Sequence, residues 1–429
     1  MPIFIIFTLL AALIGVPIVF ALAFGPLLDF FLQGNDAMLK ISLQRWFAGI
    51  NQFPLLAVPL FILAGEIMNA GDITRRLVRL AQVLVGHLRG GLAHVNILSS
   101  ILFAGLSGSA VADASALGSM LVPAMERDGY SRRFATAVTA ASAVIGPIIP
   151  PSIIMIVYAY IMNVSVGALF AAGVVPGLLM GVSLMVMTAF LARKHDLPKQ
   201  EKRADFKEVG KAVTQGFFPM LTPVIILGGI LLGIVSPTEA AAIAVVYALG
   251  LSLFVRSLSL SELPDIFCRS AKSSAVILLM IGSAALLGWV LNMSGVPQSL
   301  AGTVLGLTDS TLLFLLAANL LLLVTGMFLD AGPAILILGP ILGPTLLGLG
   351  LDPVHFAVIM CLNLTIGLAT PPFGLILFTA SAVSGVKVEQ IVRSMLPFYF
   401  VHGVVLLLVT YVPAISLTLP RWLGFSVGQ

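Results

Sequence analysis

Long apolar runs separated by short polar stretches dominate the pattern of this chain. A run of about 20 apolar residues matches the length that an α-helix needs to cross the hydrocarbon core of a bilayer. Such runs occur at positions 3–32, 53–68, 176–191, 217–235 and 401–419. The pattern therefore predicts an all-α polytopic membrane protein.

The first run contains two residues that disfavour a continuous helix. Gly15 and Pro17 lie near its middle, so 3–32 forms either one long tilted helix or two short ones. The segment 35–52 is too polar to cross a bilayer. Further crossings are predicted at 166–191, 237–254, 273–293 and 396–419, and the polar stretch 261–270 is predicted to lie on the inner surface.

Glycine and proline recur at one fixed offset in the two halves of the chain. The pattern Gly-x-x-x-Pro-Pro occurs at Gly146–Pro151 and again at Gly367–Pro372, 221 residues later. The same offset relates Gly105 to Gly326, Gly118 to Gly339, Pro123 to Pro344 and Gly129 to Gly350. Both residue types determine where a backbone can leave the helical conformation. Paired breaks in the two halves of a membrane protein are the best indication in a sequence of a transport site.

Basic residues cluster beside some of the apolar segments. The clusters are Arg75, Arg76, Arg79 and Arg89, then Arg127, Arg132 and Arg133, then Arg193, Lys194, Lys199, Lys202, Arg203, Lys207 and Lys211. Since loops rich in Lys and Arg face the cytoplasm, all three clusters are predicted to lie inside. The segment 91–125 lies between the first two clusters, so it must enter the membrane and return, with a turn near 105–109.

The corresponding segment of the second half, 311–347, turns near 326–333. Asp309 and Asp352 flank it without Lys or Arg, so it is predicted to enter from the outside. We therefore expect an inverted repeat. The first unit, 1–210, contains the inner hairpin 91–125 and a broken helix at 134–160, and the second unit, 211–429, contains the outer hairpin 311–347 and a broken helix at 356–384.

Composition supports the membrane location and narrows the function. Hydrophobic residues make up 59% of the 429 positions and charged residues only 9%, whereas soluble proteins carry about 25% charged residues. The net charge of +4 is small and the basic residues lie in predicted loops, so no nucleic-acid partner is expected. Cys268 and Cys361 are far apart and the five histidines are scattered, which favours neither a disulfide framework nor a metal-dependent enzyme.

The hairpin tips and the helix breaks carry groups suited to binding Na⁺. A turn at membrane depth leaves backbone groups that must face protein, an ion or water. Carbonyls of unwound helices coordinate Na⁺ in transporters, and Ser or Thr hydroxyls can add further oxygens. We expect one ion cage in each half. The candidate ligands are Ser107, Gly108, Ser109, Gly146, Ile149 and Pro151 in the first cage, and Gly326, Asp330, Gly367, Thr370 and Phe373 in the second.

Candidate contacts for a transported substrate lie in the same segments. They are Ser109, Asp113, Pro150, Asp330, Thr370 and Pro371. Acidic residues within apolar segments are costly and usually functional, but Asp113 and Asp330 each follow a turn and could equally cap the next helix. The alternative for the Gly, Ser and Pro positions is tight helix packing. Glu66 and Glu239 are expected to be structural, since Glu239 follows Ser236 in a capping-box pattern.

Several strings in the chain resemble those of one family. They are Pro59-Leu-Phe-Ile-Leu-Ala-Gly65-Glu, Ser107-Gly-Ser-Ala-Val-Ala-Asp113-Ala-Ser-Ala-Leu-Gly118, Ile145-Gly-Pro-Ile-Ile-Pro-Pro151-Ser, Ser236-Pro-Thr-Glu-Ala-Ala-Ala242 and Gly367-Leu-Ala-Thr-Pro-Pro-Phe-Gly374. Taken together, and over essentially the whole chain, they are similar to the large membrane subunit of the tripartite ATP-independent periplasmic (TRAP) transporters, the DctM type.

The resemblance implies a fold of the ion-transporter superfamily, with a scaffold and an elevator-like transport domain in the bacterial inner membrane. It implies Na⁺-driven import of a small organic acid, such as a C4-dicarboxylate, sialic acid or a sugar acid, with Na⁺ as the coupling ion and no other cofactor. It also implies two protein partners, a small four-helix membrane subunit of the DctQ type and a periplasmic substrate-binding protein. Because the chain starts directly at the large-subunit region, the small subunit is expected to be a separate polypeptide.

The ion sites of that family fall here on Ser107–Ser109 with Gly146–Pro151, and on Gly326–Asp330 with Gly367–Phe373. The second tip lacks the Ser-Gly-Ser of the first, so its site is expected to depend more on backbone carbonyls and Thr370. Two alternatives remain open, a stand-alone Na⁺-coupled carboxylate or anion carrier of the same superfamily and an ion channel. A channel needs a continuous pore, whereas two hairpins that stop within the membrane favour alternating access.

Overall fold

The computed structural model describes residues 3–194, 197–198, 205–296, 299, 302 and 310–427. The helices are α1 (Ile3–Leu13), α2 (Ile18–Leu32), α3 (Asp36–Ile50), α4 (Ala57–Ala70), α5 (Ile73–Val85), α6 (Gly91–Ser107), α7 (Ala110–Arg127), α8 (Arg132–Ala143), α9 (Ile153–Met162), α10 (Val166–Lys194), α11 (Phe206–Leu231), α12 (Pro237–Phe254), α13 (Leu263–Met293), α14 (Thr311–Phe328), α15 (Ala331–Gly348), α16 (Pro353–Leu368), α17 (Leu375–Ser384), α18 (Val388–Tyr411) and α19 (Ala414–Trp422). Short 3₁₀ turns precede α4 and α13, at Phe53–Leu56 and Leu260–Glu262. No strand occurs among the residues that the structure describes, which confirms the all-α prediction.

Seven helical segments of the described residues are long and apolar enough to cross a membrane. They are Phe53–Ala70, Val166–Lys194, Lys207–Leu231, Pro237–Phe254, Leu260–Met293, Thr311–Phe328 and Val388–Tyr411. Large apolar side chains such as Phe190 and Phe254 project from their outer surfaces, as expected where a helix faces lipid. Four residues used above to orient the loops, Lys199, Lys202, Arg203 and Asp309, lie outside the described residues.

The N-terminal run folds as two short helices. α1 ends at Leu13, Gly15 takes a positive φ of 87°, and Pro17 directly precedes α2. The two helices pack closely, because a Cβ atom at Gly25 would lie 2.0 Å from the Thr8 hydroxyl oxygen. The sequence allowed either one long tilted helix or two short ones, and the structure has two short helices.

The polar stretch 261–270 and the crossing predicted at 273–293 belong to one helix. α13 begins at Leu263 and continues without interruption to Met293. No glycine or proline occurs between Pro264, in the first turn, and Gly282, so nothing ends the helix where the polar stretch gives way to the apolar run. Arg269 on this helix pairs with Glu66 of α4 at 3.2 Å, which gives Glu66 the structural role expected for it.

The last predicted crossing, 396–419, is divided in the structure. α18 ends at Tyr411, and Pro413 separates it from α19. Proline removes a backbone donor and clashes with the preceding turn, which accounts for the interruption. α19 packs against α10, and its Ser416 hydroxyl lies 2.7 Å from Nδ1 of His355 in α16.

The capping box predicted at the start of α12 is present. The Glu239 amide donates to the Ser236 hydroxyl at 3.3 Å, and the Ser236 amide donates to the Glu239 carboxylate at 2.7 Å. Two backbone donors that an isolated helix terminus would leave unpaired are thus satisfied. Glu239 therefore has the structural role predicted from the sequence.

Two pairs of consecutive helices form hairpins, and each hairpin packs on an interrupted helix. α6 and α7 are joined through Gly108 and Ser109 and pack on α8, whereas α14 and α15 are joined through Leu329 and Asp330 and pack on α16. Residues 144–152 separate α8 from α9, and residues 369–374 separate α16 from α17. The peptide bonds Pro150–Pro151 and Pro371–Pro372 are both cis. Every residue of α16 from Val354 to Leu368 is buried, so the second break begins deep inside the protein.

Candidate ion and substrate site

The first hairpin tip lies directly against the first helix break. Gly108 ends α6 with a positive φ of 58°, and a Cβ atom there would lie 2.6 Å from the carbonyl oxygen of Pro151. Both the backbone conformation and the lack of space require glycine at this position. The tip and the break therefore meet backbone to backbone, with the Pro151 carbonyl directed at the turn.

Asp113 extends the same contact towards the start of the break. Its side chain is fully buried, and the Ser107 hydroxyl donates a hydrogen bond to its Oδ1 atom. The second oxygen, Oδ2, has no hydrogen-bond partner among the described residues, and a Cβ atom on Gly146 would lie 2.4 Å from it. A buried carboxylate oxygen without a donor is costly unless a cation or a proton neutralises it.

Asp113 does not cap α7. The helix is capped by Ser109, whose hydroxyl accepts from the Ala112 amide at 3.4 Å. The Ser107 hydroxyl also lies 3.3 Å from the Ser109 amide, which donates to it. Of the two roles considered from the sequence, the capping role thus belongs to Ser109, and the Asp113 carboxylate is directed at the break instead.

The first break is held by a residue that the sequence analysis did not select. The Ser152 hydroxyl donates to the Pro147 carbonyl at 2.5 Å and accepts from the Met155 amide at 3.3 Å, so it both closes the break and caps α9. A serine immediately after two prolines and before an apolar run is a recognisable N-cap signal. The Ile149 side chain packs on Gly177 of α10, so only its backbone is available to an ion.

The second hairpin tip meets the second break in the same manner. A Cβ atom on Gly367 would lie 2.6 Å from the Gly326 Cα atom, so α14 and α16 cross at these two glycines. Beyond the crossing, the Gly374 amide donates to the Met327 carbonyl at 3.1 Å. The two contacts are not at positions related by the 221-residue offset, under which Gly108 and Pro151 correspond to Leu329 and Pro372, but in both halves the hairpin meets the interrupted helix through backbone atoms.

The polar side chains at the second tip and break are engaged locally. The Ala331 amide donates to Asp330 Oδ1 at 2.8 Å, so one Asp330 oxygen is bonded to the first amide of α15. The Thr370 hydroxyl donates to the Ile366 carbonyl at 2.7 Å, which leaves its oxygen lone pairs available. The Phe373 ring is exposed and contacts the Phe328 ring at a centroid distance of 5.5 Å, so Phe373 can offer an ion only its carbonyl.

A cavity of about 270 Å³ brings the two hairpin tips together. Ser109 lines it from the first tip and Asp330 from the second, with Pro147 and Leu368 at the edges of the two breaks. The other predicted substrate contacts, Asp113, Pro150, Thr370 and Pro371, do not line this cavity. Among the described residues, no three His, Cys, Asp or Glu side chains form a group that could hold a metal ion.

α13 completes the cavity wall, and the sequence contained no signal for this. Ile277, Met280 and Ile281 of α13 face Ser109 and Asp330 across the space. In the sequence these are apolar residues in an apolar helix, which is what any lipid-facing or core position would show. Their position at the cavity depends entirely on how α13 packs on α15 and α4.

A helical membrane protein in which two hairpin tips meet two helix breaks around a shared cavity belongs to the class of membrane transporters. The chain superimposes on the YdaH transporter of Alcanivorax borkumensis with a TM-score of 0.63 at 16% identity, covering 99% of both chains. That likeness concerns the fold alone. The family follows from the sequence. The model for the DctM component of tripartite ATP-independent periplasmic transporters matches residues 3–415, and the chain belongs to this family.

Two relatives match along almost their whole length. The sialic acid TRAP transporter large permease protein SiaM of Vibrio cholerae is 42% identical over 417 residues, which cover 96% of each chain. The C4-dicarboxylate TRAP transporter large permease protein DctM of Pseudomonas aeruginosa is 42% identical over 400 residues, which cover 93% of each. The chain is therefore a multi-pass protein of the bacterial inner membrane and a transporter component rather than an enzyme.

Proposed function

We propose that this chain is the large membrane subunit of a Na⁺-coupled importer of a small organic acid. The observation that carries the proposal is the cavity of about 270 Å³ shared by Ser109 of one hairpin tip and Asp330 of the other. A site bounded by both tips can be opened by moving either one, which is the requirement for alternating access. The cavity has room for a small carboxylate, and the Ser109 hydroxyl supplies a donor.

Two Na⁺ cages flank this cavity in the proposal. The first uses the Ser107–Ser109 tip with carbonyls of Gly146, Ile149 and Pro151, and the second uses Gly326, Asp330, Gly367, Thr370 and Phe373. Support for the first cage comes from Asp113 Oδ2, a buried carboxyl oxygen without a protein donor beside Gly146. Support for the second comes from the carbonyls of Leu368 and Thr370, which converge on Gly374 at 3.0 and 2.8 Å from its ideal Cβ position.

The proposal includes an inverted repeat with units 1–210 and 211–429. It is supported by the arrangement of each half, in which a helical hairpin packs on a helix interrupted at a Gly-x-x-x-Pro-Pro motif, at Gly146–Pro151 and at Gly367–Pro372. In an inverted repeat the two hairpins enter from opposite faces of the membrane. The hairpins and broken helices would then move as one body against the remaining helices, as in an elevator.

The substrate and the partners are proposed from the family. The relatives named above carry sialic acid and C4-dicarboxylates, both small carboxylates. The tripartite family supports two partners for this chain, a small four-helix subunit and a periplasmic substrate-binding protein. The experiment that distinguishes this proposal from a stand-alone carrier is uptake by vesicles with and without the binding protein. Substrate uptake without it would favour the stand-alone carrier.

Ion replacement tests the coupling directly. Import of an anion against a negative-inside potential costs about 2.3 kcal/mol per charge per 100 mV, which co-transport of more than one Na⁺ per substrate charge overcomes. In proteoliposomes that contain the whole tripartite complex, uptake should stop when Na⁺ is replaced by choline or K⁺. Equally fast uptake in all three would contradict Na⁺ coupling, and single-channel currents would contradict a transporter.

A further inference from the structure

Helix α18 binds one backbone carbonyl at each of the two helix breaks. The Tyr399 hydroxyl donates to the Ala369 carbonyl at 2.8 Å, and Nε2 of His402 lies 3.2 Å from the Ala141 carbonyl. Ala369 is the first residue of the second break, and Ala141 lies in the last turn of α8, before the first break. Two residues of a single helix thus contact both broken helices.

Neither carbonyl has its usual helical partner. The Ile145 amide, which would bond to Ala141 in a continued helix, bonds to Ser142 at 3.0 Å instead. No backbone amide of the described residues bonds to the Ala369 carbonyl outside a helix, and the Gly374 amide is directed at Met327. Since unpaired buried carbonyls are costly, Tyr399 and His402 supply the donors that the interrupted helices lack.

The chemistry of the partners determines the state of the histidine. A carbonyl oxygen only accepts, so Nε2 of His402 must carry the proton. Its other nitrogen, Nδ1, has no hydrogen-bond partner among the described residues, and the side chain is fully buried. The ring is therefore held by one bond to α8 and by an edge contact with Tyr399, at a centroid distance of 6.5 Å.

The two side chains share one face of α18. Residues three apart on a helix are neighbours, about 5–6 Å apart at their Cβ atoms. α18 also packs along α8, α16 and α17, the helices that form the two breaks. A shift of the peptide plane at Ala369 would move Tyr399, and through the ring contact and the helix it would move His402 and the carbonyl of Ala141.

We propose that Tyr399 and His402 are positioning residues that couple the two breaks, so that an ion in one cage changes the carbonyl geometry of the other. This inference rests on the proposed function, because it assumes an ion in each cage. Neither residue is proposed to touch an ion. Coupling of this kind is an interaction free energy between two sites and is reciprocal, so removing either side chain should weaken cooperativity in both directions.

The test is the Na⁺ dependence of uptake by the whole complex in proteoliposomes. Tyr399→Phe keeps the ring and removes the hydroxyl, so the Na⁺ concentration for half-maximal uptake should rise about fivefold, the effect of one lost hydrogen bond. The Hill coefficient should fall towards that of independent sites. His402→Leu should likewise raise the half-maximal Na⁺ concentration and lower the Hill coefficient. His402→Gln retains an N–H donor, so both quantities should lie between those of His402→Leu and the wild type.

Tyr411→Phe is the matched control. Its hydroxyl also donates to a backbone carbonyl, that of Leu312 at 3.3 Å, but at a site away from both breaks. It should leave the half-maximal Na⁺ concentration and the Hill coefficient unchanged. An unchanged Hill coefficient in both Tyr399→Phe and His402→Leu would overturn the coupling.

A second measurement does not require Na⁺ coupling. Hydrogen exchange of the complex in detergent should become faster at residues 144–152 as well as at 369–374 when Tyr399 is replaced by Phe. Faster exchange confined to 369–374 would show a local role for Tyr399 and overturn the proposed coupling of the two breaks. If wild-type uptake does not depend on Na⁺ but Tyr399→Phe still speeds exchange at both breaks, the proposed function is wrong and the structural coupling of the two breaks is retained.

Discussion

The Ser107 hydroxyl donates a hydrogen bond to Oδ1 of Asp113, so the end of α6 is joined to the first turns of α7 across the hairpin tip. This bond occupies one carboxylate oxygen and leaves Oδ2 against Gly146 at the start of the first break. The tip is thereby closed by a side-chain contact, while the carboxyl oxygen that remains faces the break.

Asp113→Asn tests whether that oxygen serves a cation. The change keeps the shape and the acceptor for Ser107 but removes the charge, so the half-maximal Na⁺ concentration for uptake should rise about tenfold or more. The measurement is uptake against Na⁺ concentration in proteoliposomes with the whole complex. Asp128→Asn, an exposed aspartate just after α7, is the control and should have no effect. Unaltered Na⁺ dependence in Asp113→Asn would assign Asp113 a purely structural role.

Ser107→Ala, Ser109→Ala and Thr370→Ala test the hydroxyl ligands. Each removes one oxygen beside a break without adding bulk, so the apparent Na⁺ affinity should fall about fivefold while the amount of protein in the membrane stays constant. Thr418→Ala is the matched control, because its hydroxyl bonds to the Ala414 carbonyl in the same way but on an exposed surface. Wild-type Na⁺ dependence in all three variants would show that the cages are misplaced.

Gly108→Ala and Gly367→Ala test the close backbone contacts between each hairpin and its interrupted helix. In each the new methyl group would lie 2.6 Å from backbone atoms, of Pro151 or of Gly326, so the helices must separate. We expect a loss of about 1–3 kcal/mol of stability, read as a lower melting temperature in detergent, and loss of uptake. Gly250→Ala has nothing within 4 Å and lies within α12, so it should be neutral or stabilising. Melting temperatures equal to the control in both variants would contradict the close packing.

The opposed entry of the hairpins can be tested by labelling. Ser131 and Ser310 are N-cap residues that flank the first and the second hairpin, and each accepts from the amide three residues later, at 3.3 and 3.5 Å. Single cysteines at these positions, in a background without Cys268 and Cys361, should behave differently in intact spheroplasts. An impermeant thiol reagent should label the cysteine at position 310 before lysis and the one at 131 only after it. Equal labelling would overturn the inverted repeat.

The sequence predicted the candidate site better at its backbone than at its side chains. The Gly146–Pro151 and Gly367–Pro372 motifs lie at the breaks, because Gly and Pro act on the chain locally. The orientation of a side chain depends on its neighbours in the fold, so the sequence allowed Asp113 and Asp330 the same two possible roles although their surroundings differ. Asp113 turns towards a break, whereas Asp330 accepts from the first amide of α15 and also lines the cavity.

By itself, the sequence determined the membrane location, the all-α fold and the family, because apolar runs and Gly and Pro spacings express local constraints on each helix. Only the tertiary structure decided that α13 is continuous and lines the cavity with Ile277 and Met280. It alone showed that Tyr399 and His402 contact both breaks. These relationships join residues up to 261 positions apart, and they arise from the way that helices pack, which no local pattern of residues encodes.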